Sequence, residues 1–248
     1  MRPSLRGSRK HILDWVERSD FTSQLSQLIH STGASIHAKD AWMPKGHGNP
    51  KEARLKQLGS QILPSVDWQS IQDWWLASKP RANTPNWDLA STCTIGGQQG
   101  LVLVEAKAHV QELKVEGKHL KLNASPNSRK NHERIGRAIK EAGHALGQIV
   151  SGTNISRDTH YQLANRVAFS WKIASLGVPV VLVYLGFLGD KNIADVGEPF
   201  RDSAHWQKEM RKYMNGCIPE EFTERWINCG KAGMQMVIRS LPVGQIRE

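Results

Sequence analysis

The 248-residue chain carries 33 Lys and Arg against 23 Asp and Glu, for a formal net charge of +10, and 39% of its residues are hydrophobic, nine of them Trp. That apolar content excludes a disordered chain and suffices for one large core, while the charge predicts a polyanionic partner. Three cysteines without a Cys-x-x-Cys pair, ten scattered histidines and no GxxxxGK[ST] loop argue against a disulfide framework, a zinc site and a nucleotide-binding P-loop.

The opening residues Met1-Arg2-Pro3-Ser4-Leu5-Arg6 are basic but are not followed by an apolar run of signal-peptide length, which predicts a cytoplasmic protein. Ile12, Leu13, Val16, Phe21, Leu25, Leu28 and Ile29 form an approximate helical stripe, with a break near Ser19-Asp20. After the loop around Met43-Pro44, Asn49 reads as an N-cap with Pro50 at the first helical position, opening a helix over Lys51 to Leu58. Glu52 then falls in its first turn, where the helix dipole alone favours an acid. Trp68, Trp74 and Trp75 belong to a further helix.

Pro85-Asn86-Trp87-Asp88-Leu89 reads as a short strand segment, and Ser91 to Gly100, with Gly96-Gly97, as the hairpin connection to a second strand. That strand, Leu101 to Ala108, is an apolar run ending in Glu105-Ala106-Lys107. Side chains alternate across a strand, so Glu105 and Lys107 share a face. Pairing of the two strands would bring Asp88 and Glu105 together with an ammonium beside them. Two carboxylates suit a hard divalent cation, and the Lys can orient a water or steady a phosphate. A surface ion pair at a strand end is the plainer reading of the same residues.

Beyond Lys107, the alternation in Leu113-Lys114-Val115 and His119-Leu120-Lys121-Leu122 predicts a third strand or hairpin. A helix over about Arg129 to Val150 places Ile135, Ile139, Ala142, Leu146 and Ile149 inward, and a second spans about His160 to Leu176. Val178 to Leu185 reads as a central buried strand. Between Lys107 and Lys172 there are 12 Lys or Arg against 5 Asp or Glu, a surplus of 7. Arg129, Lys130, Arg134, Arg137, Gln162 and Arg166 are the candidate nucleic-acid contacts, Arg166 through its planar fork. From Lys191 onward, a loop and helices containing Trp206, Tyr213, Phe222 and Trp226 precede a strand-like Met236-Val237-Ile238, without a chemical signature. No linker or repeat divides the chain, so one domain over 1–248 is expected, its core at about 50–190 between helical extensions at 1–49 and 191–248.

Asp88 with Glu105-Ala106-Lys107 at the end of an apolar strand resembles the PD-(D/E)XK nuclease superfamily. The Pro that often precedes the family's Asp is replaced by Trp87, with Pro85 three residues before Asp88. The resemblance implies an α/β fold with a restriction-endonuclease-like core, a central mixed β-sheet flanked by helices. It further implies a metal-dependent endonuclease hydrolysing DNA, in restriction, repair or defence. Asp88, Glu105 and Lys107 would be catalytic, with Asp88, Glu105 and a helix acid, here Glu52, holding Mg²⁺ or Mn²⁺. A polar helix face in the place of Gln162 and Arg166 contacts DNA or the active site in several branches. The expected partner is DNA, with RNA not excluded, a homodimer admitted and no membrane involved. The alternative is a non-catalytic basic nucleic-acid-binding module on the same fold.

Overall fold

The computed structural model describes residues 5–79 and 82–246, and the opening residues Met1 to Ser4 lie outside them. The chain is α/β, with a central seven-stranded mixed sheet between two layers of helices and loops and a separate two-stranded sheet. Helices α1 (Gly7–Val16) and α2 (Phe21–Leu28) come first, separated at the expected break. Short strands β1 (Ala34–Ser35), β2 (Trp42–Met43) and β3 (Ala53–Arg54) follow. Next are α3 (Leu55–Ile62), α4 (Trp68–Trp75), β4 (Asn86–Trp87), β5 (Leu89–Ile95) and β6 (Gln98–Lys107). Then come α5 (Pro126–Gly147), α6 (Tyr161–Ser175), β7 (Val180–Leu188), α7 (Ser203–Met214), β8 (Trp226–Asn228) and β9 (Gly233–Pro242). No helix of the described residues is long and apolar enough to cross a membrane.

The sheet runs β1-β5-β6-β7-β9-β8, with β2 also on β5. β5 and β6 form an antiparallel hairpin turning at Gly96-Gly97, both at positive φ. The pair β6–β7 is parallel, and the long crossover it requires is supplied by α5 and α6. β7–β9 is parallel as well, so β7 is buried along its whole length and reads as continuous Val, Leu and aromatic residues.

Alternation along β6 divides the core. Leu101 and Leu103 face α3 to α6, together with Leu182 and Tyr184 of β7. Val102, Val104 and Ala106 face α1 and α2. Glu105 and Lys107 continue the first series, so both point into the layer of α6. Opposite Lys107 in the parallel register stands Gly186, where a Cβ would come within 2.5 Å of the Trp206 ring. The absence of a side chain lets α7 press directly on the sheet beside the site.

Five expectations change. Ile149, expected inward, lies past the end of α5 at Gly147 and is exposed. The helix expected over Lys51 to Leu58 begins at Leu55, because residues 53 and 54 pair with β4 instead of continuing back from Pro50. Ser91 to Ile95, expected as hairpin connection, belongs to β5. The segment at 113–122 is irregular apart from a single bridge, Glu116 to Thr159. Alternation favoured a strand there, but β6 already has β5 on one side and β7 on the other, leaving no edge to join. At the C-terminus Trp226 opens a strand, and Met236–Ile238 is the middle of ten-residue β9, a central member of the sheet.

Candidate active site

Asp88 sits where the chain passes from β4 to β5. The β5–β6 register pairs Leu89 with Val104, and one further step sets Asp88 opposite Glu105. Residues opposite one another in an antiparallel pair share a face. The Asp88 carboxylate accepts a hydrogen bond from the Ala106 N–H through Oδ2 at 2.8 Å, which fixes it against the strand end.

Glu105 is 1% exposed and Lys107 5%. An ionised carboxylate at that depth requires compensation, and three donors supply it. Lys107 Nζ donates to Oε1 at 2.7 Å, Gln162 Nε2 donates to the same oxygen at 2.6 Å, and Arg166 Nε donates to Oε2 at 2.6 Å. Gln162 also accepts from Lys107 Nζ through Oε1 at 2.9 Å, closing a ring of three side chains. Arg166 in turn donates to Asn165 Oδ1 at 2.8 Å and lies over the Trp87 ring, 4.7 Å from its centroid. Helix α6 thus delivers Gln162 and Arg166, one turn apart, to the end of β6.

The two carboxylates are pushed in opposite directions. Burial raises the Asp88 pKa, the neighbouring Glu105 charge raises it further, and it reaches about 7. For Glu105, burial also acts upward, but Arg166 and Lys107 outweigh it and hold the carboxyl below its usual value. At neutral pH the site therefore holds one firmly ionised carboxylate and one poised to take or release a proton. Such separation is characteristic of functional sites.

Lys107, Gln162 and Arg166 border an open cleft of about 410 Å³ together with Glu112, Lys114, Glu116, Gly117, Tyr161 and Asn165, whereas Asp88 and Glu105 do not line it. A larger groove of about 790 Å³ lies between α5 and residues 153–158 and is lined by Arg137 and Lys140, but by none of Asp88, Glu105 or Lys107. Of the two, the smaller one reaches Lys107.

The setting of Glu52 differs from the one expected. Extending the β3–β4 register by one step would set it beside Asp88, yet its side chain accepts from Arg9 at 2.5 Å and from Asn86 Nδ2 at 3.1 Å. It lies in extended chain and not in a helix. Among the described residues no group of three or more His, Cys, Asp or Glu is arranged to hold a metal ion. What the donors do offer is a pair of carboxylates in which Asp88 is destabilised as an anion by Glu105, a repulsion that a hard cation between them would relieve. By donor type Asp88 and Glu105 suit such an ion, which would have to displace Lys107, Gln162 or Arg166 from the oxygens of Glu105.

The candidate nucleic-acid contacts separate into three groups. Gln162 and Arg166 are in the site, with Arg166 committed to Glu105. Arg129 and Arg134 brace the protein itself: Arg129 donates to the carbonyls of Leu122 and Ala124, and Arg134 to that of Asp73. Lys130 and Arg137 are exposed on α5. Sequence reasoning missed Asn165, which supports Arg166, and Tyr184, which stands beside Glu105 in the β6–β7 register with its buried hydroxyl unpartnered among the described residues. Their signals were an adjacent Asn and Arg flanked by apolar residues in α6 and the one hydroxyl in the strand Val180–Leu188.

Comparison with protein families, with curated proteins and with solved structures finds no match.

Proposed function

We propose that this protein is a metal-dependent nuclease hydrolysing DNA phosphodiester bonds, with Asp88, Glu105 and Lys107 as its catalytic residues. The observation that carries the reading is the convergence of two carboxylates of opposed pKa shift and a buried Lys at the end of one strand. A hard divalent cation held by Asp88 and Glu105 would supply Lewis-acid polarisation of the phosphate and a more acidic bound water. The residues do the rest. Lys107, held by Glu105 and Gln162 and bordering the cleft, would steady negative charge as it develops on the phosphoryl oxygens. Arg166 keeps Glu105 ionised despite burial. Asp88, near half-protonated at neutral pH, becomes a full anionic donor as pH rises. Water adds to phosphorus, the bond to the sugar oxygen breaks, and that oxygen leaves with a proton.

A second reading has its own support. Both oxygens of Glu105 already receive donors, an arrangement that also serves as a purely structural lock. A basic nucleic-acid-binding module would bind DNA in a salt-sensitive way without needing Asp88 or Lys107.

The test is cleavage of supercoiled plasmid and single-stranded DNA with Mg²⁺ or Mn²⁺, against EDTA, Asp88→Ala and Lys107→Ala. Metal-dependent cutting that falls by about 100-fold or more in each variant is expected. Binding without cutting under every condition would favour the module instead.

A further inference from the structure

Residues 113–124 form a segment that the catalytic reading leaves unused. Three of the seven exposed large apolar side chains of the described residues fall within it: Val115 at 56%, Leu120 at 36% and Leu122 at 94% exposure. Single exposed apolar residues are ordinary on protein surfaces, but three within eight positions on one segment are not. They alternate with cations. Lys114, Lys118 and Lys121 surround them, Arg129 and Lys130 follow, and Glu116 is the one acid between 113 and 132.

The segment is fastened at both ends. At one end His160 donates to the Val115 carbonyl, Tyr161 to that of Glu116 and Lys118 to that of Arg157, at 2.8, 3.0 and 2.8 Å. At the other, Ala124 N–H closes a turn onto the Lys121 carbonyl at 3.0 Å, which puts Leu122 and Asn123 at its corner. Arg129 braces that turn through the Leu122 and Ala124 carbonyls. Beneath lies a hollow of about 330 Å³ lined by Lys118 to Lys121, Leu120 included, by Leu76 just after α4 and by residues of α5 such as Ile135. Leu122 therefore points outward from a braced corner and does not fold under. Lys114, Glu116 and Gly117 of the same segment line the cleft that holds Lys107.

We infer that this segment is a nucleic-acid wedge, in which Leu120 and Leu122 press between or against bases while Lys114 and Lys121 hold the flanking phosphates. Apolar side chains that unstack a base step, flanked by cations on the backbone, are an established way to bend or open a duplex. Charge selects nucleic acid over an uncharged protein surface, and the cleft shared with Lys107 selects it over a membrane. The inference deepens the nuclease reading and rests on it for the partner, but not for the chemistry.

The experiment is done in EDTA, where cutting is not required, with duplexes carrying 2-aminopurine at successive positions. Binding of the full chain is expected to raise 2-aminopurine fluorescence at one or two adjacent steps. The double variant Leu120→Ala/Leu122→Ala is expected to lose that rise and to bind about tenfold more weakly, with an unchanged dependence on salt. Lys121→Ala should instead lower the salt slope by about one. Both substitutions fall at exposed positions, and unchanged thermal unfolding would establish that the fold is intact. Wild-type unstacking and affinity in the double variant would overturn the wedge while leaving the nuclease reading standing. Failure of the full chain to bind DNA in EDTA would overturn the wedge, while the cleavage assay with Mg²⁺ decides the nuclease reading separately. Leucine-dependent binding to anionic phosphatidylserine vesicles, without unstacking of DNA, would overturn the wedge in favour of a lipid surface.

Discussion

Arg166 donates through Nε to Glu105 Oε2 at 2.6 Å, and both residues are buried. This bond ties helix α6 to strand β6 and decides the charge state of the site, because Arg166 is the foremost influence holding Glu105 ionised against its burial. It also explains why Arg166 is not free to hold a phosphate through both arms of its fork. Its Nε is taken by Glu105 and one terminal nitrogen by Asn165.

Removing one member of a buried, hydrogen-bonded ion pair leaves the other uncompensated. Arg166→Met is therefore expected to destabilise the fold by about 3–5 kcal/mol at neutral pH, measured by denaturant unfolding. Pairing it with Glu105→Gln should recover a large part of that loss, since the remaining carboxamide needs no counter-ion. If the single variant were as stable as wild type, Glu105 would have to be protonated, and its place as an anionic donor would fall.

Asp88 gives the opposite sign. Its pKa is about 7 in the folded chain against the ordinary 3.8, so the unfolded state ionises first as pH rises. Stability is complete below about 3.8 and is lost as pH rises through 7. Asp88→Asn removes that loss. Because Asp88 is only partly buried, the variant is expected to exceed wild type at pH 8 by about 2–4 kcal/mol, and to match it at pH 4. A cation taken up by the ionised carboxylate should in addition raise the wild-type unfolding temperature at pH 8 and leave the variant unmoved. Equal response of both proteins to Mg²⁺ would remove Asp88 from the metal site.

The parts of the site legible beforehand were those set by local periodicity. The apolar run into Glu105-Ala106-Lys107 declared a strand, and a period of two placed both charges on one face. Helices α5 and α6 followed from their stripes, although α6 is apolar over more of its surface than a stripe would show. What stayed hidden depended on partners distant in the chain. Asn49-Pro50 is a sound helix start by local chemistry, but residues 53 and 54 gain more by pairing with β4, and Glu52 leaves the helix with them. Likewise, nothing local in Met236–Ile238 tells that β9 will flank β7, or that Arg166 will turn inward. A lone Arg and Asn within a buried helix were the available hint, because a charge so placed must answer another.

A second buried titratable pair lies on the far face of the sheet, where His11 of α1 meets Asp190 just after β7 at 2.5 Å between Nε2 and Oδ2. Both side chains are fully covered, and His11 Nδ1 has no partner among the described residues. The neutral tautomer with its proton on Nε2 satisfies this geometry, whereas protonation would add a buried N–H on Nδ1 with nothing to receive it. Burial accordingly lowers the His11 pKa, with Asp190 opposing but not overcoming it. A group whose folded pKa is depressed contributes stability that is present above its unfolded value, here 6.5, and is lost as pH falls toward the folded one. His11→Gln keeps a donor for Asp190 and cannot take up a proton. Urea unfolding between pH 7.5 and 5 should therefore show a decline in wild type that is shallower in the variant. An identical decline in the two proteins would mean that His11 does not carry this part of the acid sensitivity.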